Sequence, residues 1–318
     1  MPNQPLVSIV ILCYNYGHFL PKAIDSALEQ TLTDREVIVV DNGSTDDTPE
    51  VVQSYGDRIV GLRLEKNAGR SGGKNAGLRI AKGKYIQFLD ADDTLMREKL
   101  ERQIGILEDH DEVDIVYSDS IFVNEKREPI EAASKWYRER HFKPDESFLE
   151  KMIQECFLLT HDGLIRRYAI DAIGGFDESR DMLEDWDFWL RLAIAGKEFF
   201  HLPEVLSAYY FHSASITKDP AHVYTLRRNF VYKYTNDLRF EKALGSELFN
   251  LFQKYQHRVL ARNLYNLGEW RECRSQIRIS LKSGGLRFDP TDLTLYFKSL
   301  IRGARKFTKA GNRATLNP

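Results

Sequence analysis

Five short apolar runs in the first half of this chain alternate with segments of helical period. The runs are Leu6 to Cys13, Glu36 to Asp41, Arg58 to Leu64, Lys84 to Asp90 and Val113 to Tyr117. The helical segments lie near Pro21 to Gln30, Asp47 to Tyr55, Ser71 to Ala81 and Thr94 to Asp109. Runs this continuous and rich in Val and Ile suit strands buried on both faces. Repeated βα order then predicts a mainly parallel sheet flanked by helices. Ligands of such sheets sit beyond the carboxyl ends of the strands. The residues that end each run therefore carry most of the functional information.

Farther along, Ser120 to Pro144 is charged and poorly periodic and reads as an extended connection. A helix is expected near Asp145 to Gln154 and another over Asp185 to Ala195, then strands near Glu198 to His201 and Val205 to Phe211. From Asp219 the pattern is helical only, with Leu260 to Trp270 and Glu272 to Leu281 forming an antiparallel pair. The expected division is an α/β domain over 1–218 and a helical region over 219–318. Basic and acidic residues number 45 and 47, so nothing global points to nucleic acid. Cys13, Cys156 and Cys273 lack metal or disulfide spacing, which fits a reducing cytoplasmic setting. No apolar run approaches the ~20 residues of a membrane span. Met1 to Gln4 opens without the basic and apolar segments of a secretory signal.

Lys84-Tyr85-Ile86-Gln87-Phe88-Leu89 runs straight into Asp90-Ala91-Asp92-Asp93. Carboxylates at a strand end can hold a hard divalent cation, which can grip a diphosphate. A charged helix start would account for acids there too. A calcium loop would not, because Leu95 stands sixth, where the turn needs glycine. The first run ends in Cys13-Tyr14-Asn15-Tyr16-Gly17 and the second in Asp41-Asn42-Gly43-Ser44-Thr45-Asp46. Capping explains Ser44 and Asp46 but not Asp41, which precedes the turn. A carboxylate at Asp41 could accept the imide N–H of a uracil, with Tyr14 packed on the base. After the third run, Asn67-Ala68-Gly69-Arg70-Ser71-Gly72-Gly73-Lys74-Asn75-Ala76-Gly77 opens a helix and favours an anion. Its spacing matches neither an NTPase phosphate loop nor a dinucleotide fingerprint. Together these loops point to a nucleoside diphosphate derivative.

Those segments, with Gly174-Gly175-Phe176-Asp177-Glu178 and Glu184-Asp185-Trp186-Asp187-Phe188-Trp189, resemble a family 2 glycosyltransferase of the GT-A fold over about residues 6 to 217. The resemblance implies a Rossmann-like mixed, mainly parallel sheet with a C-terminal all-helical appendage. It also implies inverting transfer of a sugar from a nucleotide donor, UDP first among them, to the hydroxyl of a saccharide or lipid-linked acceptor. Donor contacts carry over to Tyr14, Asn15, Asp41, Asn67, Gly69, Lys74, Asn75, Asp90 and Ala91. Asp41 would read the base and Asp90 would touch the nucleoside. Lys74 departs from the arginine more common in the family, keeping a point charge without the planar fork. Asp92 would bind Mn²⁺ or Mg²⁺, with His212 a further metal ligand taken from the loop after the last strand.

Asp185 is expected as general base, with Glu184 the alternative. At a helix start the dipole would lower the Asp185 pKa. Trp186 and Trp189 should be buried on the apolar stripe of that helix. His161-Asp162 before Gly163 reads as a turn that could line the acceptor pocket. A sugar-nucleotide pyrophosphorylase is disfavoured, since Tyr14 to His18 replaces the basic glycine-rich loop such an enzyme carries after its first strand. A non-catalytic nucleotide-sugar-binding protein would not need Asp41, Asp92 and Asp185 together. Beyond Leu293, Lys298, Arg302, Arg305, Lys306, Lys309 and Arg313 flank apolar residues at helical spacing. Such a basic helix could lie on an anionic membrane, placing the protein peripherally on the inner face of a bacterial plasma membrane, or it could be an ordinary packed surface helix. Surface polysaccharide or glycolipid synthesis is implied by the family alone.

Overall fold

All seven residues of strand β1 (Val7–Cys13) are buried, as expected for a strand covered on both faces. The computed structural model describes residues 4–139, 147–179, 183–212, 219–283 and 293–302. Two compact units divide the chain, Met1–Ala214 and Ser215–Pro318.

The first unit holds β2 (Arg35–Asp41), β3 (Val60–Arg63), β4 (Tyr85–Asp90), β5 (Thr94–Leu95), β6 (Ile115–Val123), β7 (Gly163–Arg166) and β8 (Phe199–Tyr210) beside β1. Their order across the mixed sheet is β3-β2-β1-β4-β7-β6-β8-β5. β1 pairs in parallel with both β2 and β4, in a register that sets Cys13 beside Asp41 and Leu12 beside Asp90. Chain order reverses there, and the three strand ends open one crevice. Helices α1 (Leu20–Leu28), α2 (Thr48–Ser54), α3 (Gly69–Ile80) and α4 (Lys99–Asp109) connect the strands. α3 packs closely on the sheet through its glycines. A Cβ at Gly77 would stand 2.4 Å from Val10 Cγ1 and 3.0 Å from Val40 Cγ2, and one at Gly73 2.3 Å from Leu12 Cδ1.

Three expectations are corrected. Thr94 does not begin a helix, because Thr94 and Leu95 pair antiparallel with Ala208 and Ser207 and α4 starts at Lys99. The stretch read as a connection from Ser120 carries regular structure over its described part, 120–139: β6 runs to Val123, and α5 (Glu131–Glu139) follows. The two final strands are one. In β8 the pairing with β6 jumps from Ser118↔Leu202 to Asp119↔Val205 and Ser120↔Ser207. Pro203, with no N–H to offer, sits in the first jump. β7 and α7 (Arg167–Ile173) were not anticipated, while α6 (Phe148–Gln154) and α8 (Glu184–Ile194) lie close to their expected positions.

The second unit contains α9 (Pro220–Thr235), α10 (Leu238–Leu267), α11 (Trp270–Ser283) and a helix over 293–302. α10 is broken at Gly245, where φ is 74°. α10 and α11 run antiparallel: His257 Nδ1 meets Gln276 Oε1 at 2.6 Å, and Ser280 Oγ donates to the Lys254 carbonyl at 3.0 Å. Ala261, Leu264, Cys273 and Ile277 form the seam. No described helix is long and apolar enough to cross a membrane. Arg305, Lys306, Lys309 and Arg313 lie outside the described residues.

Candidate active site

Loops from β1, β2 and β3 are tied together by their own side chains. Asn15 sits in the left-handed region at φ 56°, a conformation Asn tolerates better than most residues. Its N–H donates to Ser44 Oγ at 3.0 Å, and its Oδ1 accepts from Thr45 N–H at 2.8 Å. Asn42, which the motif reading passed over, is buried and clasps the glycine-rich loop. It donates to Asn67 Oδ1 and the Gly69 carbonyl, each at 3.0 Å, and accepts from Ala68 N–H at 2.9 Å. Asn67 Oδ1 also accepts from Gly69 N–H at 2.8 Å. Asn15 and Asn67 therefore shape the loops, while Tyr14 exposes its ring at 43%.

Asp41 is 1% exposed. Its Oδ1 accepts from Ser44 N–H at 2.8 Å. Its Oδ2 is buried and makes no hydrogen bond, with Arg63 Nε 3.5 Å away. A buried carboxylate oxygen without a donor costs free energy until something supplies one.

In the turn after β4, Ala91 is buried and Asp90 and Asp92 are partly exposed. Asp93 is nearly inaccessible and accepts from Tyr210 N–H at 2.8 Å. Asp92 Oδ2 lies 3.1 Å from His212 Nε2. His212 is buried among the rings of Tyr16, Phe19 and Tyr210, with centroids 5.0 to 5.7 Å away. Burial, then the neighbouring Asp93 and Asp90, push the Asp92 carboxyl up to about 8. A divalent cation would relieve that crowding: the Asp92 carboxylate is the hard oxygen donor Mn²⁺ or Mg²⁺ prefers, with the His212 imidazole a softer second ligand. Among the described residues no group of three or more His, Cys, Asp or Glu is assembled for a metal. Asp92 and His212 would need diphosphate oxygens and water to complete the shell.

Across the crevice, Glu184 and Asp185 open α8 in different surroundings. Glu184 is buried, with Lys74 Nζ donating to its Oε1 at 3.1 Å and the Arg70 guanidinium forming a looser ion pair with it at 3.8 Å. Asp185 is partly exposed, and its Oδ1 accepts from Trp186 N–H at 2.7 Å. Burial first and Glu184 second raise its carboxyl to about 6, against the pull of Lys74 and Arg70. The expected lowering by the helix dipole is thus overturned by desolvation and a like charge. Trp186 and Trp189 are buried, and Trp186 Nε1 donates to the Met152 carbonyl at 2.8 Å. Lys74 points inward beneath the crevice. Asn75 donates to the Phe176 carbonyl and Glu178 Oε1, both at 2.9 Å, so it braces the Gly174–Gly175 turn.

His161 and Asp162 sit in the interior, part of a polar chain through Ser120 and Asp93. Both are almost inaccessible to solvent.

Taken with this geometry, the model of the family described as glycosyl transferase family 2 matches residues 8–174, more than half of the chain. An uncharacterized glycosyltransferase of Rickettsia prowazekii is 37% identical over 218 residues, covering 67% of this chain and 66% of its own length. A chondroitin synthase of Pasteurella multocida is 32% identical over 203 residues, 63% of this chain but 20% of that protein. The chain thus spans just under two thirds of the Rickettsia relative and a fifth of the synthase. The structure of S. aureus TarS 1-349 in complex with UDP-GlcNAc superimposes with a TM-score of 0.66 at 18% identity, covering 96% of this chain and 92% of that one. The mannosyltransferase PcManGT from Pyrobaculum calidifontis, in complex with GDP-Man and Mn²⁺, gives 0.60 at 18% identity, covering 96% and 87%. At those identities the superpositions establish a shared GT-A-like fold. The chain belongs to glycosyl transferase family 2.

Proposed function

We propose that this chain is an inverting glycosyltransferase that moves a sugar from a nucleotide donor, UDP foremost, to an acceptor hydroxyl. The division of labour between Asp185 and Glu184 carries the reading. Glu184 is buried and neutralised by Lys74, whereas Asp185 is partly open, with a carboxyl near 6. A carboxylate with that pKa is ionised at neutral pH yet basic enough to take a proton as the acceptor oxygen attacks. Asp41 would accept the base imide N–H through Oδ2, with Tyr14 packed on the ring. Asp90 would meet the nucleoside. Asp92 and His212 would hold Mn²⁺ or Mg²⁺, which when bound would supply Lewis-acid stabilisation of the leaving diphosphate. Residues 1–218 would form the catalytic domain and 219–318 a separate helical region.

Relatives named chondroitin synthase and hyaluronan synthase support a saccharide acceptor and a role in polysaccharide synthesis, while a lipid-linked acceptor and glycolipid synthesis rest on the family resemblance alone. TarS complexes with UDP and UDP-GlcNAc support a UDP-sugar donor. On the helix over 293–302, Phe297, Leu300 and Ile301 are exposed beside Lys298. That supports peripheral attachment to an anionic inner membrane face, which truncation after Asp292 should abolish in liposome co-sedimentation. The wide spacing of Cys13, Cys156 and Cys273 suits a reducing cytoplasm.

The test is release of free nucleotide from a panel of nucleotide sugars, with and without Mn²⁺ or Mg²⁺. Acceptor-stimulated release from one donor supports the assignment. Binding with no turnover for any donor and acceptor pair would make the chain a nucleotide-sugar-binding module.

A further inference from the structure

Lys74 lies on α3, 1% exposed. Its Nζ donates to Glu184 Oε1 at 3.1 Å and Thr160 Oγ1 at 3.3 Å, and stands 3.4 Å from Asp90 Oδ1. Those partners come from the start of α8, the segment before β7, and the end of β4. An ammonium has three N–H donors. Two hydrogen bonds and one ion pair set it against three separate segments, and the Phe176 ring covers a further side at 5.4 Å. Asp90 belongs to the donor side of the crevice and Glu184 to the acceptor side. One buried cation joins them.

We infer that Lys74 is a positioning residue that ties donor-side Asp90 to acceptor-side Glu184 and thereby fixes the place and charge surroundings of Asp185. The inference rests on the reading of Asp185 as the base. It differs from a phosphate or ribose contact, because the cation is buried and faces three protein oxygens instead of the open crevice. Glu184 then serves as counter-ion to Lys74. The charged groups acting on Asp185 are Glu184 on its own helix and Lys74 and Arg70 from α3. On α6, packed beside α8, Lys151 is paired with Glu155 at 3.2 Å; Asp187 of α8 is held by Arg191 at 2.7 Å. Removing the Lys74 ammonium leaves Glu184 facing Asp185 with less compensation, so the Asp185 proton should be held to higher pH.

Lys74→Met keeps a straight side chain and removes the charge. The expected result is UDP affinity within about threefold of the wild type, a kcat lowered ~10²-fold, and an acid limb of the kcat/KM profile displaced to higher pH. A ~10-fold or greater loss of UDP affinity with the acid limb in place would make Lys74 a diphosphate contact and overturn the inference. Should Lys74→Met fail to fold because Glu184 is left buried and unpaired, the double variant Lys74→Met/Glu184→Gln removes both charges. It should bind UDP as the wild type does yet remain slow, and wild-type turnover in it would again overturn the inference. Asp185→Asn separates the two layers. If that variant stays active, the base assignment fails and the positioning role goes with it. If it is inactive while Lys74→Met has an unchanged kcat and pH profile, only the positioning role fails.

Discussion

Nδ1 of His161 stands 3.0 Å from Oδ2 of Asp93, with the two side chains 1% and 2% exposed. His161 Nε2 reaches Ser120 Oγ at 3.2 Å, Ser120 donates to Asp162 Oδ1 at 2.6 Å, and Tyr137 donates to the other Asp162 oxygen. Asp93 thus holds the Tyr210 N–H on one side and His161 on the other. Replacing His161 by Leu should destabilise the fold by ~3–5 kcal/mol at neutral pH, the usual cost of orphaning a buried charge. The deficit should shrink as pH falls, because a protonated Asp93 no longer needs a counter-charge. Urea unfolding at two pH values checks this, and an equal deficit at both would reduce the pair to packing.

Asp185→Asn keeps the shape and cannot take a proton. Turnover should fall ~10²–10⁴-fold with UDP affinity nearly unchanged. Glu184→Gln should cost less, and steady-state transfer measured beside UDP binding will rank the two. The reverse ranking would move the base to Glu184.

Because the Asp185 carboxyl is raised to about 6, kcat/KM should rise with pH through that value and level above it. The sign follows from the role, since only the ionised carboxylate accepts the acceptor proton. A profile that instead falls through pH 6 would assign the group as an acid.

Asp92→Ala should sharply weaken Mn²⁺-dependent UDP binding while metal-free UDP binding changes little. His212→Ala should be milder, since water can replace one ligand of a hard cation. Calorimetry with and without Mn²⁺ separates the two effects, and unchanged metal-dependent affinity in Asp92→Ala would remove that residue from the cation site.

Two glycines in helices should respond oppositely to a methyl group. At Gly77 the new Cβ meets the stiff Val10 and Val40 side chains, so Gly77→Ala should cost ~1–3 kcal/mol. At Gly105, inside α4, nothing lies within 4 Å and φ is not positive. Gly105→Ala should stabilise by ~0.4–1 kcal/mol through the unfolded chain. Denaturant midpoints of the two variants give the answer.

The βα order was legible because strands buried on both faces leave continuous apolar runs, and the residues ending them mark the crevice. β7 left no such trace. It has four residues, opens on Gly163 and closes on Arg166, whose guanidinium is spent on interior carbonyls such as Val113 at 2.7 Å. α5 was hidden by its charge. Asn42 and His161 act through contacts far along the chain, which no local pattern encodes. For Asp185, helix position suggested one direction of pKa shift; burial in the folded chain and the adjacent Glu184 reverse it, against Lys74 and Arg70, which lie more than a hundred residues earlier.

The bulge in β8 has a bearing on evolution as well as on shape. Ala208 is paired with Thr94, just after the aspartate turn, and His212 follows four residues later. The spacing between Asp92 and His212 is therefore a matter of counting along two strands. Losing a residue near Pro203 that the bulge did not absorb would slip every later position to the opposite face of the sheet. It would carry His212 away from Asp92 without altering either side chain. A short insertion or deletion there could switch the site off while every chemically active residue remained in the sequence, so an intact set of motifs is no guarantee of a working enzyme among such relatives.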